Sequence, residues 1–303
     1  MKQFVVKLLA FAAPLLCLFM GLEILVRQIP NNYSYKRHFL DHHCRSVRIL
    51  VLGSSHSLYG VDPEQFSRPA FNAAHVSQTL KFDLFILDKY VGNMPDLDCV
   101  CLPVSYFSIT SELEHVNEGR RTKNYVIYYG YREFGLQLKD HLETANSPVR
   151  RLVRSVGNYY SSGMDHVTCS PEGFGLSYTN APQLDLEKTG IAAADRHTND
   201  DRSASVANEY YLSRIVEICR HHGVRLLLFT PPACRSYHER LCNSQLKRVV
   251  RTCEGLAKEN EHIDYVNLLH SPVFAEDDFR DADHLNGEGA VKLTKILDQL
   301  LKR

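Results

Sequence analysis

The sequence predicts an α/β fold, three layers deep, with a central parallel sheet of about five strands between layers of helices. Three observations predict it. Short apolar runs recur at 48–52, 98–103, 224–230 and 263–268, the pattern of strands buried on both faces. Amphipathic stretches at about 78–93, 206–222, 237–259 and 287–302 alternate with them, and that alternation sets helices on both faces of a parallel sheet. The first run stops abruptly on Gly53, Ser54 and Ser55, at the end of a strand where such sheets carry their sites.

Taken in order, the chain opens with residues 8–26, an apolar stretch of 19 interrupted only by Glu23 near its end. That length suits a bilayer-spanning helix, and Pro14 is tolerable within one. A cleaved signal peptide is the competing reading, but no A-x-A site follows the run. Lys2 and Lys7 precede it while Arg27, Lys36 and Arg37 follow, so flanking charge does not fix the orientation. The expectation is an uncleaved anchor over 1–28, with the rest of the chain outside the cytoplasm. A polar linker is expected over 29–45, then one domain from 46 to 303.

Within that domain the first strand is RILVL and a weaker one passes through Phe71; the helix at 78–93 follows, then the strand DCVCLP. The alternation breaks at about 110–203, which reads as an insertion forming a lid or substrate platform. In it Arg120, Arg121, Tyr125, Tyr128, Tyr129, Tyr131 and His197 form a polar-aromatic set, suited either to sugar contact or to packing. The helix at 206–222 ends His221-His222-Gly223, a C-cap signal, and leads into VRLLLFT. The helix at 237–259, the strand at 263–268 and the closing helix at 287–302 complete the pattern.

Lys plus Arg equals Asp plus Glu at 35 each, so no net field draws the chain to nucleic acid. None of the nine cysteines has the double C-x-x-C spacing of a zinc site. Most read as small buried hydrophobes, with Cys234 and Cys242 placed to bridge in an oxidising compartment. His42-His43 and His221-His222 read as solvated pairs, and neither a metal nor another cofactor is expected. The turn after Gly53 lacks the second glycine of G-x-S-x-G and the G-K-[ST] of a phosphate loop.

Asp281 and His284 stand two residues apart just before the closing helix. A serine hydroxyl needs a base to take its proton, and a histidine serves best when a carboxylate holds its tautomer. A serine directly after the first strand with D-x-x-H directly before the last helix resembles the SGNH (GDSL-like) hydrolase superfamily, a flavodoxin-like three-layer fold. The likeness selects Ser55 as nucleophile and Asp281 and His284 as its partners; the residues themselves leave Ser54 as the alternative, and His56, a sequence neighbour that cannot point at the Ser55 hydroxyl, reads as a turn or rim residue.

By the same resemblance Asn72, Ala73 and Ala74 fall on the family's second block. Oxyanion donors are expected from Ser55, Ala73, Ala74 and Ser105, and substrate contacts from Asn72, Tyr106 and His197. The sequence departs from the family in three places: Ser54 replaces an Asp, Ala a Gly, and Ser105 stands nearest to a missing Asn. The layout is similar to that of membrane-anchored members acting on envelope polymers, such as alginate O-acetyltransferases and the D-alanyl-lipoteichoic-acid biosynthesis protein. The resemblance implies a serine esterase or O-acyltransferase working on a carbohydrate or envelope-polymer ester, alongside a membrane partner that supplies the acyl donor. The other reading it leaves is a degenerate SGNH domain serving as a binding or assembly factor.

Overall fold

The computed structural model describes residues 1–111, 119–199 and 202–302. The chain divides into two compact units, Met1–Arg37 with Arg120–Val167, and His38–Gly119 with Thr168–Arg303. The expected insertion is therefore shared: its middle belongs with the N-terminal helix and its end with the sheet.

In the larger unit, β1 (Ile49–Val51), β2 (Ala70–Asn72), β3 (Cys99–Pro103), β4 (Arg225–Thr230) and β5 (Ile263–Asn267) form one parallel sheet in the order β2-β1-β3-β4-β5. The expected α/β architecture is present, with the weak strand through Phe71 as the edge. Leu50 pairs with Phe71 on one side and Val100 on the other, and β1 and β3 are buried along their whole length. Because side chains alternate along a strand, Ile49, Val51, Cys99, Cys101, Leu227 and Phe229 share one core. Leu293, Leu297 and Leu301 of α11 (Gly287–Leu301) close over it. On the sheet's other side α4 (Leu80–Tyr90) and α8 (Arg202–His222) pack against each other, and α8 also packs on β4.

From β1 the chain crosses to β2 on one side and later to β3 on the other. The crevice at the carboxyl ends of β1 and β3 is thus the switch point at which doubly wound sheets bind ligands. Two short elements close it: α3 (Ser55–Gly60) follows β1, and a hairpin of β6 (Phe279–Asp281) with β7 (His284–Leu285) precedes α11. Sequence periodicity did not show that hairpin, since two-residue strands carry no period. It also missed α7 (Leu186–His197), and the single helix expected at 237–259 is two in the structure, α9 (Arg235–His238) and α10 (Asn243–Glu259).

The smaller unit holds α1 (Lys2–Arg27), α5 (Thr122–Asn124) running into a wide turn at Tyr125–Tyr129, and α6 (Val149–Ser162). One end of α1 is clasped: the Glu23 carboxylate accepts from the backbone N–H groups of Glu143 at 3.0 Å and Thr144 at 2.8 Å, from the Thr144 hydroxyl at 2.7 Å, and from Arg27. Tyr125, Tyr128, Tyr129 and Tyr131 are buried. Tyr125 meets Tyr33 edge-on at 5.4 Å and the Tyr128 hydroxyl donates to Glu143 at 2.9 Å. This tyrosine set packs its own unit, the second of the two readings open at the sequence level. The polar stretch after α1 is itself helical, α2 (Asn32–His43), because the Asn31 side chain accepts from the N–H groups of Tyr33 and Ser34 and starts a helix there. All nine cysteines are free, Cys234 and Cys242 included.

Gly53 makes the turn out of β1. Its φ is +112°, and a Cβ there would fall 2.2 Å from Cγ of Pro103 on the neighbouring strand. Its N–H donates to Asp83 at 2.7 Å and its carbonyl accepts from the His75 N–H at 3.2 Å. Gly53→Ala combines a disfavoured φ with overpacking and is expected to cost about 2–4 kcal/mol, read as the shift in urea midpoint. A loss below about 0.5 kcal/mol would show that β1 and β3 can part at no cost.

Candidate active site

Two local motifs deliver the reacting groups. After Gly53, Ser54 caps α3: it is buried, and its Oγ accepts from the His56 N–H at 3.4 Å. Ser54 is thereby committed to the helix start, and Ser55 is the residue turned into the crevice. In the hairpin, Asp281 Oδ1 accepts from the backbone N–H groups of Asp283 at 3.3 Å and His284 at 3.0 Å, which folds the D-x-x-H tetrapeptide onto itself. Asn286 then caps α11 by accepting from the Gly289 N–H at 3.0 Å. A Cβ on Gly289 would lie 2.3 Å from the Asp278 carbonyl oxygen, so the loop closes tightly only with glycine there.

The structure brings Ser55, His284 and Asp281 together although 229 residues separate the first two. His284 Nε2 lies 2.8 Å from Ser55 Oγ, and His284 Nδ1 lies 2.8 Å from Asp281 Oδ1. An ionised carboxylate only accepts, so Nδ1 carries the proton and Nε2 presents its lone pair to the serine hydroxyl.

A second chain of the same type lies beside the first. His56 Nδ1 is 2.7 Å from Ser105 Oγ, and His56 Nε2 is 3.4 Å from Asp283 Oδ2. His56, expected at a turn or rim, is instead buried, with its ring centroid 5.0 Å from that of His284. Asp283 is the residue that sequence reasoning missed. It is buried, its Oδ1 lies 3.6 Å from His284 Nδ1, and its Oδ2 faces His197 at 3.9 Å and Arg196 at 3.8 Å. Its only signal was a second acid inside Asp281-Ala282-Asp283-His284.

The charges follow from this geometry. Burial alone would raise the Asp283 pKa, but His284, His56 and His197 hold it well below the usual carboxylate range. Burial also pushes His284 down, yet Asp283 and Asp281 together bring it above the ordinary imidazole value of 6.5. Burial lowers His56 and takes His197 down to about 3, so both rings are neutral near pH 7. Around His284 stand Tyr178 at 5.5 Å and Tyr59 at 6.3 Å, both edge-on and stacked on each other at 3.9 Å. Burial and the nearby carboxylates push the Tyr178 hydroxyl up to about 12.

Several expected roles are corrected. The Ala73 N–H donates to the Val51 carbonyl at 2.8 Å, because β2 pairing continues through it, and the Ala74 N–H donates to Asn72 Oδ1 at 3.0 Å. Neither faces the crevice as an oxyanion donor. Asn72 is fully buried, and its amide nitrogen ties down the carbonyls of Ser57 and Val61 at 2.8 Å each, so it braces α3 and does not contact substrate. Tyr106 is a buried strut, its hydroxyl 3.0 Å from Thr198 Oγ1 and accepting from the Cys242 N–H at 3.1 Å. His197 does reach the crevice, with Nδ1 3.0 Å from the Tyr237 hydroxyl and its ring 4.3 Å from Phe107.

Ser105 also reaches the crevice, but its proton is spoken for. Asp283 facing His56 Nε2 favours the proton on that nitrogen, which leaves Nδ1 to accept from the Ser105 hydroxyl. Of the four expected oxyanion donors, the Ser55 N–H alone donates to no described group. Ligand atoms of His56, Asp283 and His284 lie within 4.8 Å of one another, near enough for a divalent cation. In the arrangement seen, however, both nitrogens of His284 are engaged by Asp281 and Ser55.

No family model matches the chain, and no curated protein matches it. Among 20 similar solved structures is one described as a "putative platelet activating factor" from Streptococcus pneumonia, 12% identical, covering 96% of this chain and 99% of that one at a TM-score of 0.47. Another, a "putative acylhydrolase" from Bacteroides fragilis, is also 12% identical, covering 89% and 94% at a TM-score of 0.41. Neither likeness, at that identity and TM-score, bears on the chemistry of the crevice.

The electrostatics give a direct test. Asp283→Asn removes one of the two carboxylates beside His284, so the imidazole pKa is expected to fall by about one unit, followed by NMR titration of the ring. An unmoved titration would show that Asp283 and His284 do not interact.

Proposed function

We propose that the protein is a membrane-anchored serine enzyme of acyl esters, of the SGNH type, acting outside the cytoplasm on an acylated carbohydrate or envelope polymer. One observation carries the reading: the Ser55–His284–Asp281 chain, with both hydrogen bonds at 2.8 Å, set at the switch point of a doubly wound sheet. In this reading His284 Nε2 takes the Ser55 proton as Oγ attacks the acyl carbonyl, while Asp281 steadies the imidazolium. The tetrahedral oxyanion rests on the Ser55 N–H, the leaving alcohol takes the proton back from His284, and an acyl-serine remains. His284 then deprotonates the acceptor, which is water in an esterase and a sugar hydroxyl in an O-acyltransferase.

Anchoring is supported by α1, which is 26 residues long with a mean hydropathy of 2.3 over its best window. Its side chains from Phe4 to Leu25 are largely exposed. An anchor favours transfer, because it holds the enzyme beside an acyl donor presented at a bilayer by a partner protein.

A second reading, a binding or assembly factor without turnover, is favoured by the engaged N–H groups of Ala73 and Ala74 and the committed Ser105 hydroxyl. Each missing oxyanion donor removes about 3 kcal/mol of transition-state stabilisation. A fluorophosphonate probe separates the two, since it reports the activated serine alone. Labelling is expected on Ser55 and is expected to vanish in Ser55→Ala and fall by at least about a hundredfold in His284→Ala. A folded protein that takes no label would leave only the binding reading.

A further inference from the structure

The smaller unit carries surface features that the crevice chemistry does not use. Among the described residues, half of the exposed large apolar side chains downstream of α1 fall in one short stretch: Phe134, Leu138, Val149, Val153, Tyr160 and Met164. Phe134 is 104% exposed and Leu138 75%, a cost a soluble surface rarely carries in so few residues. On α6, Val149, Val153, Val156 and Tyr160 recur at helical spacing and form one stripe. Arg150 and Arg154 lie on the adjoining face and Arg151 further round the helix, all exposed and without an ion-pair or hydrogen-bond partner among the described residues. An apolar stripe bordered by arginines is the pattern of a helix lying in the plane of a lipid–water interface.

Its place along the chain says what lies against it. The part of α1 from Phe4 to Gly21, apolar but for Lys7 near its start, would span about 27 Å at 1.5 Å per residue, close to the thickness of a hydrocarbon core. Directly after it, Glu23 accepts from the N–H groups of Glu143 and Thr144, Arg27 donates to the His141 carbonyl, and Gln28 accepts from the Tyr160 hydroxyl at 2.6 Å. The stretch is thereby pinned to the turns of α1 that leave the apolar layer. Three arginines without anionic partners among the described residues match the phosphates of an anionic leaflet.

We infer that residues 132–164 form a collar that seats on an anionic phospholipid surface around the exit of α1, dipping Phe134, Leu138 and the α6 stripe below the headgroups. The inference rests on the reading of α1 as a membrane anchor, and its test separates the two. The chain contains no tryptophan, so Phe11→Trp, Phe134→Trp and Val153→Trp each place a single reporter in the full-length protein. Each is reconstituted in nanodiscs of phosphatidylcholine with phosphatidylglycerol, with and without brominated acyl chains.

All three reporters are expected to be quenched by the brominated lipid, Phe134→Trp and Val153→Trp by about twofold as befits shallow insertion. Adding Arg150→Gln, Arg151→Gln and Arg154→Gln is expected to bring quenching of Val153→Trp down to its value in discs without phosphatidylglycerol. If Phe11→Trp is quenched while the other two are quenched only by aqueous iodide, the collar is overturned, the anchor stands, and the face is left to a protein partner. If Phe11→Trp escapes the brominated lipid, the anchor and the collar fall together.

Discussion

The close approach of Gly53 to Pro103 is the constraint on which the rest of the site depends. Two central strands run so near each other that no side chain fits between them at this point, and the backbone turns through a φ of +112°. That turn points the Gly53 N–H into the interior, where Asp83 alone accepts it: burial raises Asp83 to about 7, and the Gln78 side chain donates to the same oxygen at 2.7 Å. Only with the turn fixed can Ser54 cap α3 and leave Ser55 facing the crevice. A serine presented at a strand–helix junction is therefore a packing consequence of two strands before it is a chemical device.

The second constraint is electrostatic. Asp283 is an ionised carboxylate with almost no water, and such a charge persists only where polar groups converge on it. His56, His197, His284 and Arg196 do so from α3, α7 and β7. Arg196 is the one permanent cation among them and is 60% exposed, so its compensation is screened by solvent. The three imidazoles are thus oriented by one buried charge, which explains why His56, next to Ser55 in sequence, ends up turned away from it, toward Ser105.

The fold was legible because burial writes itself into composition: strands covered on both faces must be apolar along their buried length, and RILVL, DCVCLP and VRLLLFT carry their charges, Arg48, Asp98 and Arg225, only at their leading ends. Ser55, Asp281 and His284 were legible because a turn, a hairpin and a helix cap each leave a short signature. The oxyanion and substrate assignments for Ala73, Ala74, Asn72 and Tyr106 were not, since residue type does not reveal whether an N–H or amide is already taken by a neighbouring strand or turn. Asp283 and His56 were hidden for a related reason. Their role depends on which side chains three separate elements bring to one point, and local sequence is silent on that. The polar stretch at 32–43 was mistaken for a linker because its helix is set by a single cap at Asn31 and lacks an apolar period.

The two buried chains also pull against each other in a way that bears on the proposed chemistry. A carboxylate 3.6 Å from His284 strengthens it as a base, but it equally opposes the negative charge that gathers on an attacked carbonyl nearby. A site with one uncommitted backbone donor has little to offset that opposition. The imidazolium formed when Ser55 gives up its proton is the nearest new positive charge, so the intermediate is stable only while that proton stays on His284. Proton return to the leaving group then becomes the step at which the anion is most exposed to Asp283. In an acyl transfer this arrangement favours a leaving alcohol that is already held in place to accept the proton, and it penalises a diffusing water in the reverse direction.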